Sequence, residues 1–183
     1  YALHDTVAAP PEPVAVRLSD GQRRVLCFDG LRVPTPRGHL TDVVTRADDG
    51  ITVRGWLLLP AGGGPHALVA WLHGGPLSSW NAWSWRGNPW PLVARGYAVL
   101  LPDPCPSTGY GAQFVARGWG AWGAHPPSDV LALIDAAAAR PDIDGNRMAL
   151  LGGSFGGYLV NWLAGRDRRF RAVVSHAGIW DLA

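Results

Sequence analysis

The chain of 183 residues predicts an α/β fold built on a mostly parallel sheet. Short apolar runs at residues 67–72, 97–101, 148–151 and 172–175 have the continuous hydrophobicity of strands buried on both faces. Stretches with helical spacing, at 128–139 and 155–164, alternate with them. His73, Gly75, Pro102, Ser154 and His176 all fall just past the ends of these runs. The carboxyl ends of the strands are where such a sheet holds its ligands.

Residues 1–37 differ from the rest. Runs at 14–18 and 24–28 read as short strands, joined by a turn at Asp20-Gly21 and preceded by Pro10-Pro11. They predict a hairpin from the edge of another domain, followed by a linker at Val33-Pro34-Thr35-Pro36. Residues 40–45 and 51–59, around the turn Asp48-Asp49-Gly50, predict an antiparallel pair at a sheet edge. After the loose turn Gly62-Gly63-Gly64-Pro65 comes strand 67–72, ending at His73-Gly74-Gly75-Pro76. A long loop with a short helix near 91–95 leads to strand 97–101, which Pro102 should stop. Ser128 reads as the N-cap of a helix reaching Ala139, with Asp129 in its first turn and Leu131, Ile134, Asp135 and Ala138 at helical spacing. Pro141 to Gly145 should end that helix, before strand 148–151, helix 155–164 and strand 172–175.

Composition removes several classes. At 48% hydrophobic the chain is globular, and its 24 glycines and 16 prolines form no repeat. A net charge of +2, with no basic block, argues against a nucleic-acid partner. Arg166, Arg168, Arg169 and Arg171 are interrupted by Asp167 and read as a solvated turn. Apolar runs fall well short of 18 residues, so no membrane span is expected. Cys27 and Cys105 lack metal spacing; a reduced pair, as in a cytoplasmic protein, is favoured over a disulfide. His4, His39, His66 and His125 show no ligand spacing, so neither a metal nor a cofactor is expected. Trp80, Trp83, Trp85, Trp90, Trp119 and Trp122 lie between strands; they either pack loops over the sheet or line a substrate cleft. The first residue, Tyr1, is read as a processed or internal start.

The chemistry centres on Gly152-Gly153-Ser154-Phe155-Gly156-Gly157-Tyr158. A strand, a G-x-S-x-G turn and a helix in this order form a nucleophile elbow. Ser154 is the expected nucleophile, and the Phe155 N–H at the helix start the first oxyanion donor. Gly75, after the earlier strand, is the expected second donor, because a missing side chain permits close backbone approach. His73 is expected to brace that loop. A phosphate loop is the alternative, but the segment lacks a P-loop lysine. Elbow order demands an acid and then a histidine after the serine. His176 is the one downstream histidine; Asp167 sits in a surface turn, too early for the acid, and Asp181, just after His176, is equally ambiguous. Asp103 and Asp129 read as loop anchors or a helix cap. The acid and base are therefore expected beyond residue 183, and residues 1–183 alone should turn over peptides at least about a hundredfold slower than a chain with all three groups.

Together the stretches His73-Gly74-Gly75-Pro76, Ser107-Thr108-Gly109-Tyr110-Gly111, Gly120-Ala121-Trp122-Gly123 leading to Asp129-Val130, Gly152 through Tyr158, Asn161 to Gly165 and Ala172 to His176 resemble the prolyl oligopeptidase family of serine peptidases. The likeness is to its acylaminoacyl-peptidase and dipeptidyl-aminopeptidase-like branch. It implies an α/β-hydrolase fold, incomplete at the C-terminus, over residues 38–183. Residues 1–37 would be a short all-β remnant of a β-propeller with its linker. It implies a peptide substrate cleaved through an acyl-enzyme on Ser154, with backbone donors at Phe155 and Gly75. His73 stands where other branches carry a tyrosine that aids the oxyanion hole, and Pro106 where the family usually has an arginine. The remainder of the catalytic domain and propeller would be supplied in cis or as a separate chain, and a homo-oligomer is compatible with this. Two alternatives stay open: a carboxylesterase-like hydrolase, and a non-catalytic fragment or subunit that binds the rest of a larger assembly.

Overall fold

A computed structural model describes residues 1–26, 36–81 and 83–180. Cys27, Asp181 and, but for Pro36, the expected linker at 33–36 lie outside the described residues. The chain begins with a three-stranded antiparallel sheet of β1 (Ala2–Thr6), β2 (Ala9–Val16) and β3 (Arg23–Val25), in that order. The expected hairpin is thus larger by one strand, and Pro10 and Pro11 belong to β2 instead of preceding it. The ladder tolerates them because its register shifts between His4 and Thr6, so both prolines face Asp5 alone.

The main sheet has six strands in the order β4 (Gly38–Arg46), β5 (Thr52–Pro60), β7 (Ala98–Asp103), β6 (His66–Leu72), β8 (Ile143–Gly153) and β9 (Phe170–His176). β4, β5 and β7 pair antiparallel, whereas β7, β6, β8 and β9 run parallel. The architecture is therefore a mixed α/β fold. Period-two alternation divides its core. Leu57, Leu59, Leu68, Ala70, Leu72, Leu100 and Leu150 face α3 (His125–Ala138) and α4 (Phe155–Ala164), where Leu133, Ile134, Leu159, Val160 and Leu163 meet them, all buried. Leu58, Val99 and Leu101 face the other way, onto Trp80, Trp90 and Val93, the latter two from α1 (Trp90–Val93). Each fully buried large aliphatic side chain contributes about 1.5–3 kcal/mol, so the two layers supply most of the cohesion.

Three boundaries depart from expectation. Pro102 does not stop β7, which runs on to Asp103; past Leu100 the strand has left β6 and pairs with β5 alone, where proline is tolerated. α3 starts at His125, so Ser128 is not its N-cap. Pro126 and Pro127 fill the first turn, where a missing N–H costs nothing, and the Ser128 hydroxyl donates instead to Asp48 at 2.9 Å. β8 begins at Ile143, inside the expected turn, because residues 143 and 144 pair with His66 and Ala67 ahead of a register shift. A further short helix, α2 (Ala112–Gly118), lies between β7 and α3. Its seven residues are too few for a helical period to stand out.

Candidate active site

Ser154 is placed by the junction of β8 and α4. Its φ of 55° and ψ of −120° lie outside the regions open to ordinary L-residues. The strain is held from both sides: the Ser154 N–H donates to the His176 carbonyl at 3.0 Å, and the Ser154 carbonyl accepts from the Tyr158 N–H at 2.9 Å. The hydroxyl is thereby exposed at the head of α4, where the Phe155 N–H, in the first turn of the helix, has no intrahelical acceptor.

Two glycines make the crossing possible. A methyl group on Gly156 would run into the Leu72 carbonyl, and one on Gly152 into Gly156 itself. The backbone of α4 thus lies directly on the end of β6. We expect Gly156→Ala to destabilise the protein by at least about 1–3 kcal/mol in urea unfolding, since both surfaces in collision are backbone. Gly165→Ala, whose added carbon meets its nearest atom at 3.6 Å, should shift the midpoint little.

The loop after β6 meets this turn. A Cβ on Gly74 would lie 3.0 Å from the Gly153 carbonyl and 3.3 Å from the Ser154 Cβ. Gly75 adopts φ 133°, where a side chain would also press on the Leu77 N–H at 2.7 Å. Among the described residues, no backbone bond outside helices and strands uses the Gly75 N–H. The three residues singled out from the sequence, Ser154, Phe155 and Gly75, are thus brought to one place. Ser154 and Gly75 border a cleft of about 760 Å³ whose lining includes Trp71, His73, Gly74, Trp80, Arg86 and His176, while Phe155 is buried beneath it.

Beneath the glycine loop lies a polar cluster. His73 is buried, its Nδ1 2.8 Å from the Gly74 carbonyl and its Nε2 2.8 Å from the Ser107 hydroxyl. Since a carbonyl only accepts, Nδ1 carries the proton. Burial holds the imidazole below its usual range and so neutral, outweighing the pull of the Gly74 carbonyl and of Asp103. Asp103, 1% exposed, accepts from the Trp80 N–H at 2.7 Å, the Tyr110 hydroxyl at 2.6 Å and the Ser79 hydroxyl at 3.1 Å. Burial, followed by this contact with Asp103, pushes the Tyr110 phenol up to about 12.

His73, Ser107 and Asp103 share the residue types of a catalytic triad but not its geometry. Ser107 and Asp103 both approach Nε2, at 2.8 and 3.6 Å, whereas a triad needs the carboxylate on the opposite nitrogen. Ser107 is also wholly buried, its hydroxyl held between His73 Nε2 and the Pro104 carbonyl, so no substrate reaches it. The cluster braces the loops that carry Gly74, Gly75 and Trp80.

His176 borders the Ser154 cleft, but among the described residues its ring has no hydrogen-bonded carboxylate, and its carbonyl is what meets the Ser154 backbone. Asp167 lies far from that role, bound to Arg169 at 2.6 Å. Asp129, fully buried, anchors the Cys105 N–H at 2.9 Å and pairs with Arg117 through both oxygens, at 2.7 and 2.8 Å. Burial and the neighbouring Asp129 push the Cys105 thiol up to about 12, so it is protonated. Among the described residues no group of His, Cys, Asp and Glu is arranged to hold a metal. The tryptophans divide between both expected uses: Trp71 and Trp80 line the Ser154 cleft, Trp83 and Trp90 pack on the sheet, and Trp119 and Trp122 line a second cleft of about 430 Å³ with Tyr158. Sequence reasoning missed Trp71, Arg86 and the bracing set Ser79, Ser107 and Tyr110. Only the Ser-Thr-Gly-Tyr-Gly run hinted at the last two.

A strained serine on a strand–turn–helix junction, faced by a glycine loop, defines a serine-nucleophile type of site. The model of the Prolyl oligopeptidase family matches residues 83–183, and the chain belongs to that family. It is 38% identical over 136 residues to the uncharacterized peptidase YuxL of Bacillus subtilis, covering 72% of this chain and 20% of that protein. It is 35% identical over 133 residues to a probable dipeptidyl-peptidase 5 of Emericella nidulans, covering 69% and 18%. The chain thus spans about a fifth of the length of these curated relatives. Among solved structures, a puromycin-hydrolyzing peptidase of Mycobacterium tuberculosis superposes with a TM-score of 0.84 at 23% identity, covering 98% of this chain and 29% of that one. The acylaminoacyl peptidase of Pyrococcus horikoshii gives 0.78 at 23% identity, covering 97% and 29%. At these identities the likeness is one of fold.

Proposed function

We propose that the protein is a serine hydrolase that cleaves short peptides through an acyl-enzyme on Ser154. The observation that carries this is the strained Ser154 with the Gly74–Gly75 loop packed against it. In the reaction, the Ser154 hydroxyl loses its proton to a base and adds to the scissile carbonyl. The resulting oxyanion sits between the Phe155 and Gly75 N–H groups, the amine leaves with a proton from the same base, and water releases the acyl group. Among the described residues no histidine–carboxylate pair reaches the Ser154 hydroxyl, so in this reading the acid and base lie outside them.

The finer assignments belong to the same proposal. Residues 38–183 form part of an α/β-hydrolase catalytic domain, and the β1–β3 sheet with its linker is the tail of a β-propeller. Further strands or helices cover β9, whose Val173 and Val174 are 42% and 52% exposed and leave an open edge. The names of the relatives support acylaminoacyl or dipeptidyl peptides as substrates. Among the described residues no helix is long and apolar enough to cross a membrane. A cytoplasmic location fits the buried, unbridged Cys105.

Fluorophosphonate labelling followed by peptide mapping tests the nucleophile. The full-length protein should carry a single adduct on the peptide containing Ser154. Labelling at another serine in an active preparation would remove the assignment. Parallel rates on acyl-peptide and simple ester substrates separate a peptidase from an esterase.

A further inference from the structure

Among the described residues, the cleft at Ser154 is lined by one permanently charged side chain, Arg86, and by no carboxylate. The nearby Asp103 is buried and already accepts from the Trp80 N–H and from the Tyr110 and Ser79 hydroxyls, so it offers nothing to a substrate. Arg86 is exposed, and among the described residues its guanidinium has no carboxylate partner.

Its backbone is nonetheless well held. The Arg86 N–H donates to the Ser84 hydroxyl at 3.2 Å. On either side, the indole N–H of Trp85 donates to the Thr6 carbonyl at 2.9 Å, and that of Trp90 to the Val7 carbonyl at 2.5 Å. The tip of the β1–β2 hairpin therefore pins the loop that carries Arg86. The next residue, Gly87, abuts the wall made by Trp71 and Trp80, whose rings meet edge to face at 5.6 Å. A cation carried on a held backbone thus stands beside an aromatic wall on the rim of the cleft that contains Ser154.

We infer that Arg86 is a specificity-determining residue that binds a substrate carboxylate, so that the preferred substrates are short anionic peptides with an apolar side chain against Trp71 and Trp80. This rests on Ser154 being the nucleophile. A guanidinium matches a carboxylate with two parallel hydrogen bonds, and such charge-assisted bonds are about twice as strong as neutral ones. A free ammonium group brought to the same rim would be repelled.

The test uses the full-length protein and matched peptide pairs. One pair differs only in a free C-terminal carboxylate against its carboxamide, the other in an Asp against an Asn side chain near the scissile bond. Wild type should favour the acid of at least one pair by about tenfold in kcat/KM, and the pair that responds identifies the source of the carboxylate. The preference should shrink with added salt. Arg86→Ala should abolish it, Arg86→Lys keep part of it and Arg86→Glu reverse it. An Arg86→Ala protein that keeps the full preference, or a wild type with none in either pair, overturns the inference. Labelling by an uncharged fluorophosphonate separates the two readings. A labelled Ser154 without acid preference refutes the role of Arg86 alone, whereas an unlabelled Ser154 in active protein refutes the nucleophile assignment.

Discussion

Ser154→Ala should lower kcat for peptide hydrolysis by the full-length protein by at least about 10⁴-fold, with KM changed little. Alanine keeps the Cβ, so the strained φ of 55° is no harder to hold than in the native chain. The bonds from the Ser154 N–H to His176 and from Tyr158 to the Ser154 carbonyl use backbone atoms that the substitution leaves in place. Stability should therefore stay within about 0.5 kcal/mol, and the loss reports chemistry alone. Residual turnover would come from the oxyanion donors proposed at Phe155 and Gly75, which the substitution leaves in place. A variant that retained a tenth of wild-type kcat would show that another group attacks the substrate. Steady-state kinetics alongside urea denaturation decides it.

The largest effect on stability is expected at Asp129. Its carboxylate is fully buried on α3 and ties together three other parts of the chain: Arg117 of α2, the Cys105 N–H after β7 and, through Arg117, Asp49 in the β4–β5 turn at 2.6 Å. Asp129→Ala leaves the Arg117 guanidinium, only 11% exposed, without its main partner and the Cys105 N–H without an acceptor. Breaking such a buried pair costs about 3–5 kcal/mol, a large share of the ~5–15 kcal/mol that holds a typical domain folded. The double variant Arg117→Met/Asp129→Leu should recover much of that loss, because no buried charge is then left alone. If it proved as unstable as Asp129→Ala, packing and not charge would be the cause.

The same clamp sets an acid limit. Hydrogen bonding from Arg117 is the main reason the Asp49 carboxyl is held below its usual value of 3.8. A carboxyl depressed in the folded state stabilises the protein above its unfolded pKa, and that contribution is lost as pH falls through the folded value. Stability should therefore decline below about pH 4, and less steeply in Arg117→Met than in wild type.

What the sequence revealed followed from interactions short in sequence. Apolar continuity at 67–72, 97–101 and 148–151 marked β6, β7 and β8, and the α4 bounds at Phe155 and Ala164 were read without error. The G-x-S-x-G segment placed Ser154 because an elbow is a local object: one strand end, one turn and one helix start. Errors arose where a local signal met a distant partner. Proline was read as a stop at Pro102, but whether it breaks a ladder depends on which neighbour the strand still has, and past Leu100 only β5 remains. Ser128 was read as a cap, but its hydroxyl is drawn to Asp48, 80 residues earlier, while Pro126 and Pro127 start the helix.

Only the tertiary structure decided the surroundings of the serine. His73 and Ser107 are 34 residues apart, Ser79 and Asp103 are 24 apart, and the Trp90 indole reaches the Val7 carbonyl across 83. Each is an ordinary polar or aromatic residue in sequence, and its role follows from burial. A buried donor or acceptor must find a partner, and chain crossings that no local pattern encodes select which one. The sequence by itself thus determined the strained turn at Ser154 and the glycine turns, through backbone geometry that only glycine or a strained residue can adopt. Tertiary packing determined the neutral His73, the braced loops and the place of Arg86 on the rim, because desolvation and charge balance are properties of the assembled cleft.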